Sequence, residues 1–218
     1  MKKLVGILTG LFLLVGMGVP ASAATFFFTN DNCTGSCGTN SPFASITLTD
    51  TGADIDVTLN VLNGNQFNTA GGGHNTFNFS MTPTLTAASI TNLTAHYVFV
   101  APANNQDGFG DFKYAITDDG SLGAHNANPI SFTILGVNFS DFIQSTGSGA
   151  EHVFFTVDIF GTNGNTGLVG STNLTINPEG ENPPDNTPLP GAIWLFAGGL
   201  GLLGMLYRKK EKPKSAWA

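Results

Sequence analysis

Carboxylates gather around glycine turns in the middle of the chain. The stretch DGFGD places Asp107 and Asp111 on either side of two glycines, with Lys113 as the nearest basic residue. Calcium prefers hard oxygen ligands and a backbone that can wrap around the ion, which glycine allows. Solvated turn aspartates are the interpretation that the sequence favours. If the chain binds a cation, the pattern indicates calcium at Asp107 and Asp111.

The two cysteines, Cys33 and Cys37, lie close together in NDNCTGSCGTN. A structural zinc site needs four ligands, and no pair of histidines lies near these cysteines in the sequence. The N-terminal signal peptide predicts export from the cytoplasm, into an oxidising compartment that favours disulfides. The sequence therefore predicts a disulfide that closes one short loop, and not a redox or metal centre.

Residues for nucleophilic catalysis are not arranged in a recognisable pattern. No G-x-S-x-G turn is present, and the four histidines are scattered, at His74, His96, His125 and His152. A glycosidase needs two facing carboxylates and usually an aromatic surface on which the sugar stacks. Both tryptophans, Trp194 and Trp217, lie near the C-terminus, outside the predicted domain. We therefore predict no catalytic residue, and no cofactor other than calcium.

Strands must position these side chains, because apolar residues alternate with Thr, Ser, Asn and Asp through most of the chain. In DIDVTLNVL, Ile55, Val57 and Leu59 share one face, and this period of two indicates a half-buried strand. Clusters rich in Gly, Asn and Asp between such segments indicate turns. The pattern predicts an all-β, antiparallel, jelly-roll-like β-sandwich of about eight or nine strands over residues 24–176. One helical turn is predicted within Asn138–Gln144, with Ser140 as its N-cap.

The N-terminus has the three parts of a secretory signal peptide. Two lysines follow Met1, an apolar run extends over residues 4–19, and Ala21 and Ala23 form a small-x-small cleavage box. We expect residues 1–23 to be removed by signal peptidase after export by the Sec machinery.

The C-terminus predicts a single membrane-spanning helix. Residues 191–207 contain no charge, which is near the short limit for crossing a bilayer. Trp194 and Tyr207 lie near the two ends of this stretch, where amphipathic rings favour the interface. Basic residues follow within 208–214, beginning with the cluster Arg208, Lys209 and Lys210. Positive charge resists translocation, so the tail is expected inside and the body outside.

Charge is distributed unevenly along the chain. Of the eight basic residues, two lie in the signal peptide, five follow Tyr207, and only Lys113 lies in between. Fourteen of the fifteen acidic residues lie between Ala24 and Pro190, so one lysine against fourteen acids leaves that region with a net charge of −13. This charge argues against nucleic acid or an anionic membrane surface as a partner of the body.

The C-terminal stretch PLPGAIWLFAGGLGLLGMLYRKK resembles the PEP-CTERM sorting signals, in particular their VPLPA-CTERM variant. Pro188, Leu189 and Pro190 fit the short motif, whereas Thr187 and Gly191 stand where Val and Ala are usual. The resemblance implies a sorting signal over residues 188–214, preceded by an acidic, Pro-rich linker over 177–187. It also implies recognition by an exosortase, a membrane-embedded cysteine transpeptidase-like enzyme, in a Gram-negative bacterium that makes exopolysaccharide.

Three functions are compatible with the sequence. The favoured one is a non-enzymatic surface or matrix protein that crosses the inner membrane and is held transiently by its C-terminal helix. The resemblance then implies processing and display at the cell surface, in the outer envelope or in the exopolysaccharide matrix of a biofilm. A calcium- or glycan-binding adhesin module is the alternative, and a secreted hydrolase is the least favoured.

Overall fold

The computed structural model describes residues 22–69, 73–103, 105–147 and 150–171. The regular secondary structure of these residues is almost entirely β, apart from two three-residue 3-10 turns at Ala87–Ser89 and Phe139–Asp141. None of the helical segments in this part of the chain is long and apolar enough to cross a membrane. The strands are β1 Ser22–Cys33, β2 Ala44–Asp50, β3 Asp54–Val61, β4 Gln66–Asn68, β5 Phe77–Met81, β6 Ile90–Thr91, β7 Tyr97–Val100, β8 Asn105–Gln106, β9 Gly110–Asp111, β10 Tyr114–Asp118, β11 His125–Asn126, β12 Ile130–Leu135, β13 Phe142–Ile143, β14 Phe155–Phe160 and β15 Thr166–Ser171.

Most of these strands belong to one antiparallel sheet. Its main path runs in the order β6-β12-β3-β2-β1-β15-β14-β5-β10-β7, and β4, β11 and β13 pair beside it. The strands β8 and β9 form a separate two-stranded ribbon. The predicted all-β, antiparallel class is thus confirmed, although the strands are shorter and more numerous than the sequence pattern indicated.

The sheet curls until its two halves face each other, so that the architecture is close to a barrel. Phe79 on β5 and Phe132 on β12 come from opposite halves of the strand order, yet their ring centroids lie 6.1 Å apart. Phe77 also contacts Phe132, with centroids 6.2 Å apart. These rings lie in one continuous apolar core to which both halves contribute. The phenylalanines therefore act mainly as core residues.

The period of two correctly predicted the inward faces of the long strands. On β3, Ile55, Val57 and Leu59 are buried while their neighbours are at least partly exposed. Strand β5 departs from this pattern, because all five of its residues are buried. Asn78 lies on the outward phase of β5 and is fully buried; its Nδ2 donates to Oγ1 of Thr156 at 3.1 Å. The sheet is therefore covered on both faces in this region.

The predicted helical turn is present, but its cap differs from the prediction. Asn138 is the N-cap: its Oδ1 accepts a hydrogen bond from the backbone nitrogen of Ser140 at 2.9 Å. Oδ2 of Asp141 accepts in return from the backbone nitrogen of Asn138 at 2.9 Å. The prediction of Ser140 as N-cap was wrong, because Asn at this position starts a reciprocal capping pair with an acid three residues later.

A second, smaller apolar cluster covers the outer face of β14 and β15. It contains Phe109, Phe112, Val153 and Leu168. Phe109 lies in the turn between β8 and β9, and its ring packs directly on Gly170 of β15. A Cβ atom on Gly170 would lie 2.6 Å from Cε1 of Phe109, so a side chain at this position would push the ribbon away. This packing holds the β8–β9 turn, and Asp107 with it, over the sheet.

Candidate functional site

A row of side chains crosses the outer face of the sheet beside this second cluster. Leu168 of β15 pairs with Asn32 of β1 on one side and with Asp158 of β14 on the other. Directly paired residues of antiparallel strands share a face, so the three side chains lie side by side. Asn68 of β4 extends the row, since its Nδ2 donates to Oδ2 of Asp158 at 3.1 Å. The register of four strands therefore builds this site.

Asp158 is the unusual member of the row, because it is an acid that the fold buries. Only 3% of its surface is exposed. Its Oδ1 atom has no hydrogen-bond partner among the residues that the structure describes. Burial raises the pKa of Asp158 to about 6, although the charge of His74 and the hydrogen bond from Asn68 act to lower it. Near neutral pH the protein thus holds a buried carboxylate that one amide satisfies only in part.

Two side chains from loops approach the row from above. Nε2 of His74 lies 3.6 Å from Oδ2 of Asp107, and the two side chains are 26% and 81% exposed. The turn that carries Asp107 is tied to β1, because Nδ2 of Asn32 donates to the backbone oxygen of Asp107 at 2.6 Å. Gly108 follows with a φ of +81°, and a Cβ atom there would collide with the Asn32 amide. Glycine is therefore required for this close approach.

These residues enclose a polar cavity of about 420 Å³. A neighbouring cavity of about 430 Å³ shares Asn68 and His74 with it. The amide nitrogens of Asn32 and Asn68 are both engaged with protein oxygens. The cavity therefore offers mainly acceptors, from carboxylates above all, and it suits a ligand that is a cation or a hydrogen-bond donor.

The structure places the two aspartates of the predicted calcium site against different partners. Oδ1 of Asp111 accepts from Nδ2 of Asn105 at 2.7 Å, and the backbone nitrogen of Asp111 donates to the oxygen of Thr146 at 2.7 Å. Asp107 instead approaches His74. A calcium site at Asp107 and Asp111 stays a prediction, and of the two aspartates only Asp107 lines the cavity that Asp158 also lines.

The predicted disulfide between Cys33 and Cys37 is present, with Cα atoms 5.3 Å apart. Asp31 organises the loop that it closes. The carboxylate of Asp31 accepts from the backbone nitrogens of Cys33 and Cys37, each at 2.9 Å, and from Oγ of Ser36 at 2.6 Å. In the part of the chain that the structure describes, Asp31 and the two sulfurs form the one close group of three metal-type ligands. The sulfurs are bonded to each other, so this group is not a metal site.

A serine, a histidine and an aspartate also meet at the surface, but their arrangement does not form a triad. Oγ of Ser121 lies 2.7 Å from Nδ1 of His96, and Oδ2 of Asp119 lies 3.9 Å from the same nitrogen. A triad needs its acid and its nucleophile on different ring nitrogens. Hydrogen bonds from the side chain and then the backbone of Ser121 lower the pKa of Asp119. The three residues stabilise a turn.

The remaining predicted residues are dispersed. His125 stacks on Phe160 with ring centroids 3.9 Å apart, and Nδ1 of His152 lies 2.7 Å from the backbone oxygen of Ser145. Ala23 of the cleavage box lies in β1. Outside the described residues lie Ala21 and the whole sorting signal, with Pro188, Leu189, Pro190, Arg208, Lys209 and Lys210.

No protein-family model matches the chain, and comparisons with curated proteins and with solved structures find no match either. The site therefore has to be interpreted from its own geometry. Sequence reasoning missed Asp158 and the role of His74. The one available signal was the acid in FTVDIF, the single charged residue of a strand with four apolar residues.

Proposed function

We propose that the chain is a non-enzymatic protein of the bacterial surface or extracellular matrix, held at the inner membrane by its C-terminal helix until an exosortase processes it. The C-terminal sequence carries this proposal. A Pro-containing motif, one uncharged stretch and a basic cluster follow one another over residues 188–214. With a signal peptide over residues 1–23, this order fits a chain that is exported, retained and then sorted.

The charge of the body supports the same proposal. The body has a net charge of −13, and Lys113 is its one basic residue apart from histidines. Nζ of Lys113 donates to the backbone oxygen of Met81 at 3.0 Å. A surface with so little positive charge repels nucleic acid and anionic lipid, and it keeps copies of the chain apart in solution.

The fold supports an extracellular location in a second way. The Cys33–Cys37 disulfide suits an oxidising compartment. We interpret the curled sheet as a jelly-roll-like sandwich, in which facing phenylalanine rings fill the space between the two halves. Such a domain can present its outer face to matrix polysaccharide while the linker over 177–187 connects it to the sorting signal.

The proposal is tested by deleting residues 188–210 and following the protein through cell fractions. We expect the deleted chain to leave the membrane and appear in the periplasm or medium without matrix association. A control that lacks only residues 211–218 should fractionate like the intact chain. Intact mass of the matrix form should show loss of both termini. Unchanged fractionation of the longer deletion would refute the proposal.

The polar cavity favours a second function, a calcium- or glycan-binding adhesin module. A buried carboxylate beside a histidine and a second carboxylate is a feature of ligand sites more often than of inert surfaces. A hydrolase is the third alternative, and a panel of polysaccharide and ester substrates distinguishes it, since turnover of any of them would replace the binding function.

A further inference from the structure

The negative charge of the buried Asp158 carboxylate is not fully compensated by the described protein groups around it. Oδ2 receives a hydrogen bond from Asn68, but Oδ1 has no partner among the described residues and is shielded from solvent. Burying a charge without full compensation is costly. A ligand that supplies positive charge at this point would offset that cost.

The groups around Asp158 narrow the chemistry of such a ligand. The cavity also contains the carboxylate of Asp107, and the amides of Asn32 and Asn68 already direct their nitrogens to protein oxygens. We propose that this cavity binds one divalent cation of the Zn²⁺ or Mn²⁺ class, held by the carboxylates of Asp158 and Asp107 and by the imidazole of His74. The inference is independent of the sorting proposal, and it refines the adhesin-module alternative by replacing calcium or a glycan with Zn²⁺ or Mn²⁺ as the ligand.

The spacing of His74 and Asp107 matches that of two ligands on one ion. Nε2 of His74 and Oδ2 of Asp107 lie 3.6 Å apart. Two donors that are each about 2.1 Å from a tetrahedral ion lie about 3.4 Å from each other. The pair can therefore accept an ion with little change in its own geometry, and mixed nitrogen and oxygen donors favour Zn²⁺ or Mn²⁺ over Ca²⁺.

For all three residues to bind one ion, the side chains of His74 and Asp107 must move closer to the carboxylate of Asp158. The three donors are not all within 4.8 Å of one another in the described structure. Asp158 is fixed in β14 between β15 and the short strand β4, so it is the stationary ligand. Asp107 lies in a turn and is 81% exposed, and His74 also lies outside the strands. The backbone of the Asp107 turn is anchored by Asn32, so the side chains of His74 and Asp107 have to reorient toward Asp158 for the three donors to meet.

A neutral sugar fits the cavity less well than a cation. Sugar and other small-molecule sites usually include aromatic or apolar walls. Among the described residues that line this cavity there is no Phe, Tyr or Trp, and Leu168 is the one large apolar side chain. Two carboxylates and an imidazole instead match the charge of a divalent ion, in a body that carries a net charge of −13.

The test measures binding of ZnCl₂, MnCl₂ and CaCl₂ to the full-length chain in detergent, after treatment with a chelator, by calorimetry and by thermal melting. We expect one ion of Zn²⁺ or Mn²⁺ per chain and a higher Tm with the ion. D158N should abolish this binding. D107N and H74Q should weaken it by about 10-fold or more, since loss of even an outer partner of a metal ligand typically costs about 10- to 100-fold.

Matched controls separate this site from adventitious binding. D56N removes an exposed aspartate on β3, and H152Q removes an exposed histidine elsewhere; both should bind the ion as the parent does. Far-UV circular dichroism verifies that each variant is folded. No saturable binding, equal losses in the controls, binding of Ca²⁺ alone, or stabilisation by a sugar in place of the ions would each overturn the inference. Fractionation of the cells reports separately on sorting, so the two proposals can fail independently.

Discussion

Replacing Asp158 by Asn should change how the stability of the protein depends on pH. In the folded state, burial raises the pKa of Asp158 from its ordinary value of 3.8 to about 6. Between these two values the folded state holds a proton that the unfolded state releases, so wild-type stability falls as pH rises through this window. Above the folded pKa both states are ionised, and the loss stays constant. The variant lacks this contribution.

The magnitude follows from the size of the shift. A rise of about two pKa units corresponds to about 3 kcal/mol, since one unit is worth about 1.4 kcal/mol. In a domain of this size, about 3 kcal/mol is equivalent to about 6–12 °C in Tm. The amide that D158N introduces also lacks full partners, which adds an offset that does not vary with pH. The pH dependence of the difference is therefore the quantity to measure.

The assay is urea unfolding of both proteins from pH about 3.5 to pH about 7.5, with a chelator present so that no cation contributes. Relative to D158N, the wild type should lose about 3 kcal/mol of unfolding free energy across this range. T156S, on the same face of β14, provides the control, because it changes no charge and should run parallel to the wild type. The assignment of a buried carboxylate would be refuted if the unfolding free energies of D158N and wild type changed in parallel with pH. It would also be refuted if the wild type became more stable relative to D158N as pH rises.

Two further predictions concern the elements that hold this site. G170A should destabilise the protein by about 1–3 kcal/mol, because the added methyl group overpacks against Phe109. The control G123A should have little effect, because a Cβ atom there meets nothing within 4 Å. Equal denaturation midpoints for the two variants would contradict the packing of the ribbon. The double substitution C33S/C37S should lower the free energy of unfolding by about 2 kcal/mol, because the disulfide closes a short loop. If reduction of the wild type leaves its Tm unchanged, the bond does not constrain the chain.

Much of the fold could be predicted from local pattern, because burial on one face imposes a period of two. Ile55, Val57 and Leu59 follow this rule. The rule failed where the sheet has a second cover, as on β5, where Asn78 is buried on the side expected to face water. The alternation of residue types does not reveal that cover, which includes Asn75 of the preceding loop and Thr156 of β14, both hydrogen-bonded to Asn78. The same limit applies to the curling of the sheet.

The candidate site was predictable only in fragments. Asp107 stood out because it lies beside glycines, but its sequence neighbour Asp111 faces other partners. Asp158 lies 51 positions away from Asp107, on a strand whose outer face would ordinarily be solvated. Strand register and the packing of Phe109 on Gly170 bring the two aspartates to one cavity. Sequence spacing carries no information about such an encounter.

If the chain is exported as we propose, the position of the first and last described strands has a consequence for its folding during secretion. β1 and β15 are neighbours in the middle of the sheet, where Phe28 pairs with Ser171. A contact between residues so far apart in sequence contributes strongly to contact order and forms late. A chain that emerges from a translocon with its N-terminus first cannot pair β1 with β15 until Ser171 has passed through. Until then β1 and β14 have unpaired edges, which are aggregation-prone, so completion of the domain is tied to completion of transport.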